Sequence, residues 1–333
     1  MRAVRCSSFC DPCATSVPKG AGSLPGQADG SPASSRSANT LAFLPSRLAL
    51  ALSIAACTVL APSVAAARQP AQYYVSVGDS YAMGYQPGAK KPNRNGFAYR
   101  VPKVAAKSGY RLQLVNFGCG GATSASILNE QLKPGAKCLG ADAPKFTGTQ
   151  VSAVEKFLRA NRRRVGLVTV SIGGNDFTKC AKEADAVGCV GTVMPVLQKN
   201  LETLLARVRR AAGPKVRIVG ITYPDVILGS WVGDAPNQDI AKLSVAAFQL
   251  VINPTYKTSY DKVGATFVDV TAASGAYTPL DQTTTLAPYG EIPVAVARAC
   301  ELTYYCEQRD IHPKTPGYAL IADLVAATLP KRG

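Results

Sequence analysis

Five short runs that are apolar almost without a break, residues 73–77, 112–116, 166–172, 216–221 and 266–270, recur along this chain with helix-period segments between them. A strand with one wet face alternates polar and apolar residues, so runs this continuous belong to strands covered on both sides. The clearest intervening segment, residues 190–212, sets Val193, Leu197, Leu201, Leu204, Leu205 and Val208 on one face and ends at Gly213-Pro214. That is a helix with a buried stripe and a stop signal. Residues 151–160, 240–252 and 318–329 carry the same period, and Asn253-Pro254 reads as the stop of the middle one. Strands alternating with helices form a parallel sheet with both faces covered. The expected fold is α/β, a three-layer α/β/α sandwich around a central five-stranded parallel sheet. Ligands of such a sheet bind beyond the carboxyl ends of its strands.

The first 67 residues read differently. Residues 14–40 are rich in Ser, Gly, Pro and Ala, and an apolar core at about 48–60 then follows Arg47 and gives way to Ala65-Ala66-Ala67. A positive flank, a short apolar core and a small-residue site make an export signal, too short for a membrane span. We therefore expect an N-terminal extension plus signal peptide over 1–67 and a single secreted domain over 68–333. Ile54-Ala55-Ala56-Cys57 leaves open a protein lipid-anchored at Cys57. Cys6, Cys10 and Cys13 have the spacing of an iron–sulfur loop, but they precede the export signal and lack a strand context.

Beyond residue 67 stand Cys119, Cys138, Cys180, Cys189, Cys300 and Cys306. An even number in an exported chain points to disulfides. Several connectivities are open, and the sequence-local set, 119 with 138, 180 with 189 and 300 with 306, is the most economical. With one histidine and no CxxC remaining, a metal centre has too few ligands, so neither metal nor cofactor is expected. The net charge of +16 favours anionic envelope surfaces weakly. Its densest clusters, Arg162 to Arg164 and Arg207, Arg209 and Arg210, fall at predicted helix ends, where cations suit the dipole. No stacking aromatics are interleaved with them, so a nucleic-acid partner is not expected, and the domain is read as a monomer.

The reactive residue types gather at strand ends. Gly78-Asp79-Ser80 follows the first strand, Gly118-Cys119-Gly120-Gly121-Ala122-Thr123 the second and Gly173-Gly174-Asn175-Asp176 the third. Glycines in such turns let backbone N–H groups approach a ligand. Ala82 excludes the Gly-x-Ser-x-Gly elbow of α/β-hydrolases. The only histidine in the chain, His312, precedes the last helix in Asp310-Ile311-His312-Pro313. Imidazole is suited to taking a serine proton at neutral pH.

In this order, each at a strand end, these elements resemble the SGNH, or GDSL-type, hydrolases of secreted bacterial type, over most of residues 72–330. The resemblance implies a flavodoxin-like sandwich, Ser80 as nucleophile and His312 as base. It also implies an oxyanion hole from Ser80, Gly121 and Asn175, with Gly121 preferred to Gly118 and Gly120 because it directly precedes the Ala-Thr pair. The family's Asp three residues before the His is Arg309 here. Either Asp310 or the Arg309 carbonyl must then orient the imidazole, and Asp310 is preferred. Local disulfides would brace the loops carrying these groups. The expected activity is hydrolysis of carboxylic esters, of lipids or small molecules, through an acyl-enzyme on Ser80. A carbohydrate O-deacetylase on the same fold and a non-catalytic secreted binding protein are the alternatives. Residues 224–238 and 276–305, with Trp231, Tyr277, Tyr289, Tyr304 and Tyr305, read as long loops able to wall an acyl pocket.

Overall fold

In the computed structural model, residues 70–89, 94–131, 138 and 144–332 are described. The expectations for residues 1–67, the export signal, Cys57 and the three N-terminal cysteines included, lie outside them. The five apolar runs become β1 (Gln72–Gly78), β2 (Leu112–Gly118), β3 (Val165–Ser171), β4 (Arg217–Ile221) and β5 (Thr266–Val268). All pair in parallel in the order β2-β1-β3-β4-β5. Tyr74, Val75, Val77, Leu167, Val168 and Val170 are fully buried, as strands covered on both faces require. The covering helices form two groups. Phe97–Ala106 packs on Thr315–Ala327, while Gln150–Ala160 and Asn253–Asp261 pack on the long helix Ala186–Ala212.

Register decides where the chemistry lies. Gly78 at the end of β1 pairs with Gly118 on β2 and with Ser171 on β3, so three strands finish side by side. A Cβ on Gly78 would come 1.9 Å from the Ser171 carbonyl oxygen, and one on Gly118 would come 2.3 Å from the Met83 nitrogen. Only glycine permits these approaches. The basic clusters serve helix ends. Arg162 donates to the carbonyls of Arg210 and Ala211 at 2.7 and 3.1 Å, and Arg209 to that of Val216 at 2.6 Å, where a cation offsets orphan carbonyls.

Two readings of the sequence need correction. Asn253-Pro254 does not end a helix. Ala235–Ala247 runs through a π-helical turn, Phe248–Ile252, directly into Asn253–Asp261. Proline lacks an N–H and crowds the carbonyl four residues back, and the wider π turn in front of it relieves that clash. Nor are 224–238 and 276–305 open loops. They fold into a 3₁₀ turn (Val226–Val232), a hairpin of β6 (Thr283–Leu286) and β7 (Gly290–Pro293), and the helix Val294–Leu302. Trp231, Tyr277 and Tyr289 pack against a second small core of Leu228, Ile292, Val296 and Cys300.

The cysteines pair locally, Cys119 with Cys138, Cys180 with Cys189 and Cys300 with Cys306. No described helix is long and apolar enough to cross a membrane.

Candidate active site

Asp79 leaves β1 and caps the single turn Ser80–Met83, its side chain accepting the Tyr81 N–H at 2.9 Å. Gly84, in the left-handed region at φ 84°, closes the turn. Ser80 is thereby held at the sheet edge with its Oγ 2.8 Å from His312 Nε2. On the other side of the ring, His312 Nδ1 lies 2.7 Å from Asp310 Oδ1, which also accepts the backbone N–H of His312 at 2.9 Å. This last bond explains how a carboxylate only two residues away reaches the ring. The side chain folds back over its own turn, as Asp does in loops, and arrives at Nδ1. Arg309 takes the left-handed conformation at φ 54°, and its guanidinium points away, to the Gly229 carbonyl at 3.3 Å.

With Nδ1–H donated to the carboxylate, Nε2 is free to accept the Ser80 hydroxyl proton. Burial pushes the His312 pKa below the usual 6.5, against the opposing pull of Asp310. That shift favours the neutral ring, the state a base requires.

The other strand ends complete the site. Asn175 follows β3, lines the same cavity as Ser80 and donates from Nδ2 to the Ala122 carbonyl at 2.9 Å. Its neighbour Asp176 accepts the Ser124 hydroxyl at 2.6 Å and the Ser124 N–H at 2.9 Å. The β3 turn is thus fastened to the turn after β2, which the Cys119 N–H ties to Gly78 at 3.0 Å. Gly118 donates its N–H to Asn116 Oδ1 at 2.8 Å and is occupied. Among the described residues no backbone carbonyl accepts the N–H groups of Ser80, Gly120 or Gly121. Gly121 is solvent-exposed.

Sequence reading missed Tyr223 and the role of Asp79. Tyr223, at the exit of β4, donates to Asp79 Oδ2 at 2.6 Å, and its ring lies against Gly174. It therefore touches the turns of both Ser80 and Asn175. The rule that found the others, a polar residue just past a strand's carboxyl end, would have found it too. Desolvation raises Asp79 to about 7 despite this hydrogen bond.

A family model described as the GDSL-like lipase/acylhydrolase family matches residues 76–320. The chain belongs to that family. Among solved structures, this GDSL-like chain is similar to phospholipase A1 from Streptomyces albidoflavus, at 20% identity and TM-score 0.46, over 78% of this chain and 100% of the other. It is similar to an extracellular lipase from Streptomyces rimosus at 18% identity and TM-score 0.46, with 78% and 100% covered. A goat-rumen metagenome lipase matches at 15% identity and TM-score 0.49, over 78% and 99%. Among curated proteins none matches.

Beside Ser80 opens a cavity of about 420 Å³, walled by Phe177, Val190, Val226, Ile227, Phe248 and Ile252. None of Trp231, Tyr277, Tyr289, Tyr304 and Tyr305 lines it, which corrects the aromatic-wall expectation. Pro224, Val226 and Ile227 of the stretch 224–238 do line it, together with Phe177 and with residues of the π turn and of the long helix. Under one wall lies Asp225, fully buried, accepting the Ser244 hydroxyl at 2.8 Å and the Ile227 N–H at 3.1 Å. Desolvation raises its pKa from 3.8 to about 7. A carboxyl raised by folding holds its proton longer in the folded state, so stability is full below the unfolded value and falls as pH rises from about 4 to about 7. Asp225→Asn keeps an oxygen to accept the Ile227 N–H, puts an NH2 donor opposite the Ser244 oxygen in place of the second acceptor, and cannot ionise. Thermal melts across that window should show a decline in the native protein, worth up to a few kcal/mol per carboxyl, and a shallower one in the variant. Asp79 contributes the same sign, so some slope remains. Identical slopes would show that Asp225 does not titrate there.

Proposed function

We propose that this chain is a secreted serine ester hydrolase that cleaves esters of apolar acyl chains through an acyl-enzyme on Ser80. Its family supports ester hydrolysis. The observation that carries the finer reading is the line from Ser80 Oγ to His312 Nε2 at 2.8 Å and from His312 Nδ1 to Asp310 Oδ1 at 2.7 Å. His312 takes the Ser80 proton as Oγ attacks the ester carbonyl. Charge developing on the carbonyl oxygen is met by the N–H groups of Ser80 and Gly121 and by Asn175 Nδ2. The imidazolium returns its proton to the leaving alkoxide, and water repeats the sequence to release the acid.

The cavity argues for an acyl chain longer than acetyl, since its wall is almost wholly apolar and reaches from Ser80 to Leu250. Glycan deacetylation gives no use for that volume. Three disulfides suit an oxidising compartment, which supports secretion. Among the described residues no cluster of three or more His, Cys, Asp or Glu could hold a metal, and hydrolysis is expected to survive EDTA.

A series of p-nitrophenyl esters tests the reading. kcat/KM is expected to rise from acetate to medium-length acyl chains by at least about tenfold, since each buried methylene contributes about 0.8 kcal/mol. A fluorophosphonate should label Ser80 alone. A flat profile with preference for acetylated glycans would establish the deacetylase instead, and no turnover of any ester would leave a binding protein.

A further inference from the structure

Six large apolar side chains are exposed among the described residues, and four of them stand on the rim of one cavity. These are Val187 at 64%, Leu243 at 47%, Leu250 at 72% and Val251 at 39%. Val187 comes from the first turn of Ala186–Ala212, Leu243 from Ala235–Ala247, and Leu250 and Val251 from the π turn. Two separate stretches of chain therefore converge on the opening beside Ser80. Scattered exposed apolar residues need no explanation, but a cluster encircling a catalytic mouth does.

The charges around this mouth narrow the partner. The whole chain carries +16, yet residues 178–191 and 239–252 balance. Lys179, Lys182 and Lys242 stand with Glu183, Asp185 and Asp239, and Lys242 pairs with Asp239 at 3.1 Å. A face designed for an acidic surface would show excess cations. This one presents aliphatic tips within a neutral ring, continuous with an apolar cavity that ends at the nucleophile.

We propose that this rim is an interface-docking face, seating the enzyme on the surface of neutral or zwitterionic lipid aggregates so that an acyl chain passes from the aggregate into the cavity without crossing water. The proposal rests on the ester-hydrolase reading of the same site. Apolar tips enter the acyl boundary while the balanced charges stay among the headgroups, as in other surface-seated proteins. An ester carbonyl drawn in by its chain then meets Ser80 at the cavity floor. The Cys180–Cys189 bridge lies in this rim, with Cys180 itself on the cavity wall, and holds Val187 beside the opening.

Binding can be read without turnover. The Ser80→Ala protein is floated with phosphatidylcholine vesicles at physiological salt, alone and carrying Leu250→Ser with Val251→Ser, or Val187→Ser. Val196→Ser is the control, because Val196 is 58% exposed and stands outside the cavity. The expected result is vesicle binding that falls at least tenfold in the rim variants and is unmoved in the control. In the Ser80 enzyme, the ratio of rates on an aggregated to a monomeric ester should fall at least tenfold in the same variants. Binding equal in all variants would overturn the proposal, as would binding that requires phosphatidylglycerol and disappears at high salt. Activity on monomeric p-nitrophenyl acetate separates the two readings. Turnover without vesicle binding removes the docking face alone, while absence of turnover on any ester removes the reading beneath it.

Discussion

Replacing Ser80 with alanine is expected to lower kcat by on the order of 10⁶, and replacing His312 alone by about as much. In the proposed mechanism nucleophile and base act as one unit, with Ser80 Oγ and His312 Nε2 2.8 Å apart, so losing either removes the same step. No second imidazole can substitute, since the chain has only His312. The double variant should be no slower than either single one. Steady-state rates on a p-nitrophenyl ester measure all three, with thermal melts to confirm that each variant folds. Independent, multiplying losses would show that the two residues do not cooperate in one proton transfer and would sink the assignment.

The second large effect belongs to Asp310. Its Oδ1 holds both the ring Nδ1 and the backbone N–H of His312, so Asp310→Ala frees the imidazole to rotate and to take the wrong tautomer. A loss on the order of 10⁴ in kcat is expected. A loss below about tenfold would hand the orienting role to the Arg309 carbonyl. The pH profile gives a second reading. Burial lowers the His312 pKa and the Asp310 charge raises it, so removing that charge lets the pKa fall further. Since the neutral ring is the active form, the acid limb of kcat/KM should move to lower pH in the variant. A move to higher pH would mean that the carboxylate does not face the ring in solution.

The sheet was legible because β-branched continuity is a local property. Every apolar run became a strand, and Ser80 and Asn175, just past the ends of β1 and β3, line one cavity. What escaped was tertiary in origin. The π turn before Pro254 follows from packing that keeps the helix going where local stereochemistry would end it. Tyr223 stands where the strand-end rule points, but Tyr-Pro belongs to no motif, and its value lies in reaching Asp79, 144 residues away in sequence. The stretch 224–238 does supply part of the cavity wall, through Pro224, Val226 and Ile227, but the aromatic residues expected there do not. Trp231 and Tyr289 serve a second core instead, and Ile240, Leu243, Leu250 and Ile252 line the cavity in their place. Asp310 lay between two readings, since nothing in spacing alone says that a turn will fold a carboxylate back by one residue.

The order β2-β1-β3-β4-β5 also bears on how such an enzyme can change over time. Ser80, Gly121 and Asn175 follow the adjoining strands β1, β2 and β3 in turn, whereas Pro224, Ile227, Leu243 and Phe248 of the cavity wall all come after β4. Much of the wall thus lies on a stretch apart from the candidate reactive residues, while Phe177 and Val190, after β3, supply the rest. Mutation between residues 224 and 252 can remodel what the enzyme accepts while leaving the proton-transfer line undisturbed. A lineage built this way can shift its diet without first losing its chemistry.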